Sequence, residues 1–159
     1  MEKVCLTCYN QPLSHSFNCV CETNNKKEFI FYTKVADAKL YKDKDGILKH
    51  YDNMLKYVNP DSWIWIFDCN GYELKHSLQI DTAIGIAEII KRFGRVNKIL
   101  VINSNNFINV VYSLVKLFLN KEINDKIMFI NTNEKDKYYE ELNKLNLEDK
   151  YYNDLIKLI

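Results

Sequence analysis

Glycine and proline are scarce in this chain: its 159 residues include four of the first and two of the second. Loops that cradle a dinucleotide or a phosphate need glycine at the strand-to-helix turn, where the backbone must approach the ligand closely. Neither GxGxxG nor GxxxxGKS/T occurs, which excludes both chemistries. Net charge is also small, with 22 Lys and Arg against 21 Asp and Glu, so no global field draws the chain to nucleic acid or to acidic membranes. Any such attraction is a local patch. No apolar run reaches the roughly 18 residues that would span a bilayer. The opening MEKVCLTCYN lacks the apolar core of a secretory signal. These two absences predict a cytoplasmic protein. Five cysteines, an odd number, then imply reduced thiols rather than a disulfide framework.

What is present alternates between two periods. Val4 to Tyr9 and Phe17 to Glu22 read as short strands around the turn NQPLSHS, with Pro12 where a strand cannot continue. KEFIFYTKV, Lys27 to Val35, predicts a third strand. After the polar run YKDKDG, the spacing of Leu48, Tyr51, Leu55 and Val58 predicts a helix over Ile47 to Val58. SWIWIFD, Ser62 to Asp68, is almost wholly apolar, as befits a strand covered on both faces. CNGYELKHS reads as a loop, and Leu78 to Phe93 carries Ile80, Ile84, Ala87 and Ile90 on a helix. KILVIN and KIMFIN bracket a helix from Phe107 to Leu119, and Asn133 to Leu145 and Leu147 to Ile159 close the chain as amphipathic helices. This alternation implies an α/β fold with a mainly parallel sheet flanked by helices. The length fits one domain, 1–159, in which residues 1–26 form a cysteine-bearing hairpin.

Few constellations carry chemistry. Cys5 and Cys8 with Cys19 and Cys21, and His15 between the pairs, match the thiolate set of a tetrahedral zinc site. Residues three apart on a strand point to opposite faces, however, so Cys5 and Cys8 meet only in a tight knuckle that usually carries glycine. Free thiols in a hairpin, and no metal, are the expectation. His15, His50 and His76 stand in no catalytic motif and read as solvated or hydrogen-bonded side chains. Asp68, at the end of a buried strand, is the best candidate for a catalytic acid. It reads more simply as a cap on the turn through Asn70 and Gly71. The expectation is therefore a protein that is not an enzyme. Tyrosines beside lysines in KDKYYEEL and EDKYYNDL would suit base stacking, but the interspersed acids repel phosphates, so no nucleic-acid partner is expected.

The helix from Phe107 to Leu119 is the anomaly, because its only charge is Lys116. A surface helix on a sheet shows one apolar stripe. Here Phe107, Val110, Val111, Leu114, Val115 and Phe118 spread around the barrel of the helix, and leaving several of them in water costs about 1.5–3 kcal/mol each relative to burial. Either the terminal helices or a dimer partner cover it, or it is the lid of an apolar cavity that faces a bilayer when open.

WIFDCNG, FGRVNKILVIN, FINVVYSLVKLFLN and NDKIMFIN, in this order, resemble the core of the CRAL-TRIO lipid-binding domain family. Asp68 and Gly71 match its strand-ending Asp-x-x-Gly; Lys98 to Asn103 match a lysine-led strand ending in Ile-Asn. Lys116, Phe118 and Leu119 match its Lys-Pro-Phe-Leu, with Leu117 in place of proline. The resemblance implies a minimal member without the family's N-terminal helical lobe. Trp65 and Phe67 would belong to the floor of a lipid pocket, and Phe107, Val110, Val111, Leu114, Val115 and Phe118 to its mobile gate. Lys126 would meet a headgroup phosphate. Where inositol-binding members carry Pro-Glu-Arg, this chain has Phe93, Gly94 and Arg95, keeping the arginine without the acid. The implied ligand is a phospholipid, phosphatidylinositol or a phosphoinositide, transferred or presented at a transiently contacted membrane, with no other cofactor. Because shrunken relatives serve as interaction modules, a lipid-free scaffold for a small GTPase or another protein partner is the alternative.

Overall fold

A computed structural model describes residues 2–24 and 28–159. In chain order the elements are α1 (Leu6–Asn10), β1 (Asn18–Glu22), β2 (Phe29–Lys34), α2 (Lys44–Val58), β3 (Trp63–Asp68), α3 (Leu74–Ser77), α4 (Ile80–Phe93), β4 (Val96–Ile102), α5 (Asn106–Val115), α6 (Lys121–Asn124), β5 (Ile127–Ile130), α7 (Lys135–Asn143) and α8 (Asp149–Ile156). The five strands lie side by side in chain order. β1 runs antiparallel to β2, and the other pairs are parallel. This is the expected α/β architecture.

Strand order decides where the helices go. A right-handed crossover between adjacent parallel strands puts its helix on a fixed side of the sheet. Three such crossovers taken in one direction stack α2, α4 and α5 on the same face. That face holds Phe31, Trp63, Trp65, Ile99 and Val101 against Tyr51, Leu55, Ile90, Ile108 and Val111. The opposite face, with Ile30, Ile64, Ile66, Leu100 and Ile102, is covered by Tyr138 and Leu142 of α7 and Leu155 of α8. β3 lies between the two layers, which is why nearly every residue of WIWIFD is buried.

Local chemistry sets the boundaries. α2 begins three residues before the expected Ile47, because the Asp43 carboxylate caps it by accepting from the Gly46 N–H, and it ends at Asn59 in the left-handed region. The loop CNGYELKHS contains the single turn α3, and the helix expected from Phe107 to Leu119 is α5 followed by a 3-10 turn, Lys116–Phe118. Lys27, where the third strand was expected to start, lies outside the described residues, as do Asn25 and Lys26 of the expected hairpin.

One expectation fails. Val4 to Tyr9 is not a strand: Leu6–Asn10 is helical, and β1 pairs with β2 alone. The buried residues are Val4, Cys5 and Cys8, while Leu6 and Tyr9 are exposed, a helical spacing that the alternation Val4, Leu6, Cys8 conceals.

On the α7 side, Lys98 of β4 is paired with the buried Glu141 of α7, which Lys144 also contacts. Burial opposes ionisation of Glu141, but the bonds from Lys98 and Lys144 outweigh it and hold the carboxyl below its ordinary value. A depressed native pKa contributes stability that is fully present above the ordinary value near 4.5 and is lost as pH falls through the native one. Replacing Lys98 by Met should cost about 2–4 kcal/mol at pH 7 in urea unfolding. It should also shrink the loss of stability between pH 5 and pH 3; an unchanged acid limb would contradict the assignment.

Candidate functional site

The crossover helices do not close completely on the sheet. Towards it, α4 presents Thr82, Ala83 and Ala87 beside Ile86 and Ile90, and small side chains at these positions leave space that larger ones would fill. The result is a cavity of about 160 Å³. Its floor is made by Thr33, Trp65, Phe67, Ile99, Val101, Ile127 and Phe129 of β2 to β5. Tyr51 and Ile47 of α2, and Ile108, Val111, Tyr112 and Val115 of α5, complete the walls.

Several polar side chains at the cavity already have partners. Trp65 Nε1 donates to Thr33 Oγ1 at 2.9 Å, Thr33 Oγ1 lies 3.2 Å from the Tyr51 hydroxyl, and that hydroxyl also reaches the Ser16 carbonyl at 3.4 Å. At the rim, His76 sits edge-on to Tyr41 with ring centroids 4.9 Å apart, and its Nδ1 accepts from the Glu73 N–H at 2.9 Å. Burial, reinforced by the charge of Lys75, pushes the His76 pKa down, so the rim is uncharged at neutral pH. Among the described residues no buried side-chain nitrogen or oxygen lacks a partner. The lining is mostly apolar and offers dispersion contacts to an apolar guest, with Thr82, Gln79 and the Tyr41 and Tyr72 hydroxyls among its polar groups. Pockets for small molecules run to roughly 300–1,000 Å³, so a long chain enters this smaller cavity only if a wall moves.

α5 is the wall with an apolar surface on both sides. Its N-terminus is held by Asn105, whose side-chain oxygen accepts from the Phe107 and Ile108 N–H groups and whose amide donates to the Tyr72 carbonyl. Ile108 and Val111 are buried against the cavity. Outward, Phe107 is 41% exposed, Val110 60%, Leu114 44%, Leu117 77% and Phe118 39%. α7 and α8, which might have covered them, lie on the other face of the sheet. The predicted pocket and gate residues thus divide: Trp65, Phe67, Val111 and Val115 line the cavity, and Phe107, Val110, Leu114 and Phe118 do not. Arg95 and Lys126 lie outside the cavity wall, immediately before β4 and before β5 respectively. The guanidinium of Arg95 donates to Asn59 Oδ1 and the Pro60 carbonyl and stacks on Phe93, while Lys126 Nζ donates to the Val96 carbonyl at 3.0 Å. The contribution of α4 was not anticipated; its signal is the alanine pair four residues apart, Ala83 and Ala87, with Thr82 beside the first, on an otherwise isoleucine-rich helix.

Asp68 faces away from the cavity. It accepts from the Tyr32 hydroxyl at 2.6 Å, the Asn103 amide at 2.9 Å and the Asn70 N–H at 2.9 Å, and Gly71 follows with φ +79°. This is the turn cap expected from the sequence. The cysteines depart from the set Cys5, Cys8, Cys19 and Cys21. A bulge between Cys19 and Cys21 turns these two residues to opposite faces, and burial pushes both thiols up to about 11. Cys5 and Cys8 instead meet His15 and His50.

Three comparisons bear on this geometry. The model of a family described as the CRAL/TRIO domain matches residues 13–152. The crystal structure of Sfh5, a yeast Sec14-like protein, is similar with a TM-score of 0.58 at 11% identity, over 72% of this chain and 48% of that one. This chain thus spans about half the length of that protein, and the likeness is one of fold. A comparison with curated proteins by sequence returns no match.

The two tryptophans separate cavity from core, since Trp65 lines the cavity whereas Trp63 is fully buried against Phe31. Oleate added to the Trp63→Phe protein should change the emission of Trp65 saturably, and the Trp65→Phe protein should stay silent. Equal responses from both would place the guest elsewhere.

Proposed function

The chain belongs to the CRAL/TRIO domain family, whose domains bind and transfer lipophilic ligands, and from that premise we propose that it carries a phospholipid, phosphatidylinositol or a phosphoinositide, and exchanges it at a membrane surface. The observation that supports this most directly is α5 with the 3-10 turn that follows it, a segment with an apolar face on the cavity and a second, exposed one in Phe107, Val110, Leu114, Leu117 and Phe118. Moving outward, such a helix enlarges the cavity and buries its outer side chains in the bilayer interface. Each CH₂ of an acyl chain then gains about 0.8 kcal/mol on entering the cavity, and the exposed face gains similarly on entering lipid. Among the described residues no helix is long and apolar enough to cross a membrane, which suits a peripheral, transient contact. The carrier needs no covalent chemistry and acts as no enzyme.

Arg95 and Lys126 are the proposed headgroup cations. Lys126 donates to the Val96 carbonyl, and Arg95 spends only one terminal nitrogen on Asn59 and Pro60. Its remaining donors and the lysine point charge suit a phosphate.

The small size of the cavity favours a second reading, a lipid-free scaffold that docks another protein on the outer face of α5. Native mass spectrometry of the purified chain, with extraction and identification of any bound lipid, separates the two. A bound phospholipid supports the carrier; a chain that stays bare after incubation with mixed liposomes supports the scaffold. For the carrier, Val111→Asp should abolish loading, whereas Leu114→Asp should still load but slow transfer between vesicles at least tenfold. Lys126→Ala should lower the preference for anionic over zwitterionic headgroups. Normal loading, transfer and selectivity in all three variants would rule the carrier out.

A further inference from the structure

The structure assigns a metal site that the lipid chemistry does not use. Cys5, Cys8, His15 and His50 are all buried, and one ligand atom from each lies within 4.8 Å of every other. His15 Nδ1 is 3.3 Å from Cys5 Sγ and 3.6 Å from Cys8 Sγ; His50 Nδ1 is 3.5 Å from Cys8 Sγ. A tetrahedral zinc ion with sulfur at about 2.3 Å and nitrogen at about 2.05 Å sets its ligands about 3.6 Å apart, sulfur to nitrogen. The three measured separations lie on that edge length. We propose that these four side chains bind one structural Zn²⁺ ion as a Cys₂His₂ site.

The shell around the four supports a metal. His50 Nε2 is 2.8 Å from the Phe17 carbonyl, which can only accept, so this nitrogen carries the proton and Nδ1 turns its lone pair to the cluster. His15 Nε2 is likewise 2.8 Å from Asp43 Oδ2. Zinc-bound histidines are oriented by such carbonyl and carboxylate partners. Asp43 is itself fixed, since its other oxygen caps α2 through the Gly46 N–H, and a Cβ at position 46 would come within 2.0 Å of Asp43 Oδ2. Cys5 occupies the cap of α1, where Ser, Thr, Asp or Asn is usual, and its sulfur accepts from the Cys8 N–H at 3.4 Å. A metal thiolate performs that role well.

Charge closes too. Two thiols lose their protons to solvent as the ion binds, and Zn²⁺ with two thiolates and two neutral imidazoles is a neutral unit suited to a buried place. Cys5 and Cys8 precede the stretch that matches the family, residues 13–152, whereas His15 and His50 lie within it, so the site joins the N-terminal segment to the domain. It fastens that segment to α2, beside the stack of Phe17 on Tyr51, whose ring centroids are 4.1 Å apart, and hence next to the cavity wall.

The test uses the full chain, expressed with added zinc and purified without chelator. Elemental analysis should find one zinc per chain. After exchange under reducing conditions, Co²⁺ should give the thiolate charge-transfer and tetrahedral visible bands of an S₂N₂ site. Cys21→Ser should leave both unchanged, and Cys8→Ser should lose them. Removing zinc should lower the melting temperature, and adding it back should restore it. Because Cys8→Ser can simply unfold, the unsubstituted chain decides: a folded protein with no zinc and no cobalt–thiolate absorption overturns the site and leaves two thiols hydrogen-bonded to two imidazoles.

Discussion

The order of the strands is the constraint on which the rest depends. Strands that follow one another across the sheet, joined by crossovers of one hand, stack every crossover helix on one side. Such a sheet has no point where the strand order reverses, which is where open α/β sheets form their binding crevice at the strand ends. The space for a ligand must therefore arise between layers. It arises under α4, whose alanines are too small to meet the sheet, and it is bounded by α5, the crossover helix at the β5 end of the row. The other layer, α7 and α8, is formed by the chain after the last strand and packs Tyr138, Leu142 and Leu155 onto its face.

Elements whose period matched their burial were legible. WIWIFD announced a strand between two layers, and the alternation of strands and helices announced a parallel sheet. The odd composition of the helix after KILVIN was legible as well, although only the fold shows that its two apolar sides meet different surroundings, Val111 a cavity and Leu114 solvent. Two things were concealed. In VCLTCY, Val4, Leu6 and Cys8 alternate as in a strand, but Val4, Cys5 and Cys8 are the residues that pack, at helical spacing, so the period misled. Position 50 joins positions 5, 8 and 15 only after α2 has crossed over the sheet, and no local motif encodes that meeting. In the same way a bulge, invisible in NCVCE, separates Cys19 from Cys21.

Buried polar side chains in this protein share a pattern. Asp68, Glu141, Trp65 and the histidines each hold at least one partner at hydrogen-bond distance, and among the described residues no fully buried side-chain nitrogen or oxygen lacks one. Against such a background the unbalanced feature is apolar. It is the outer surface of α5, where side chains that could be buried are not, and a folded state that tolerates this gives up stabilisation of several kcal/mol.

The two ends of the sheet bear on how anything larger can approach. β1 is interrupted by its bulge, and β5 is four residues long. Interrupted and short edge strands are poor templates for an incoming strand. Association by β-augmentation, and the runaway stacking into fibrils that uses the same geometry, are therefore both discouraged at these edges, while the outer surface of α5 stays exposed.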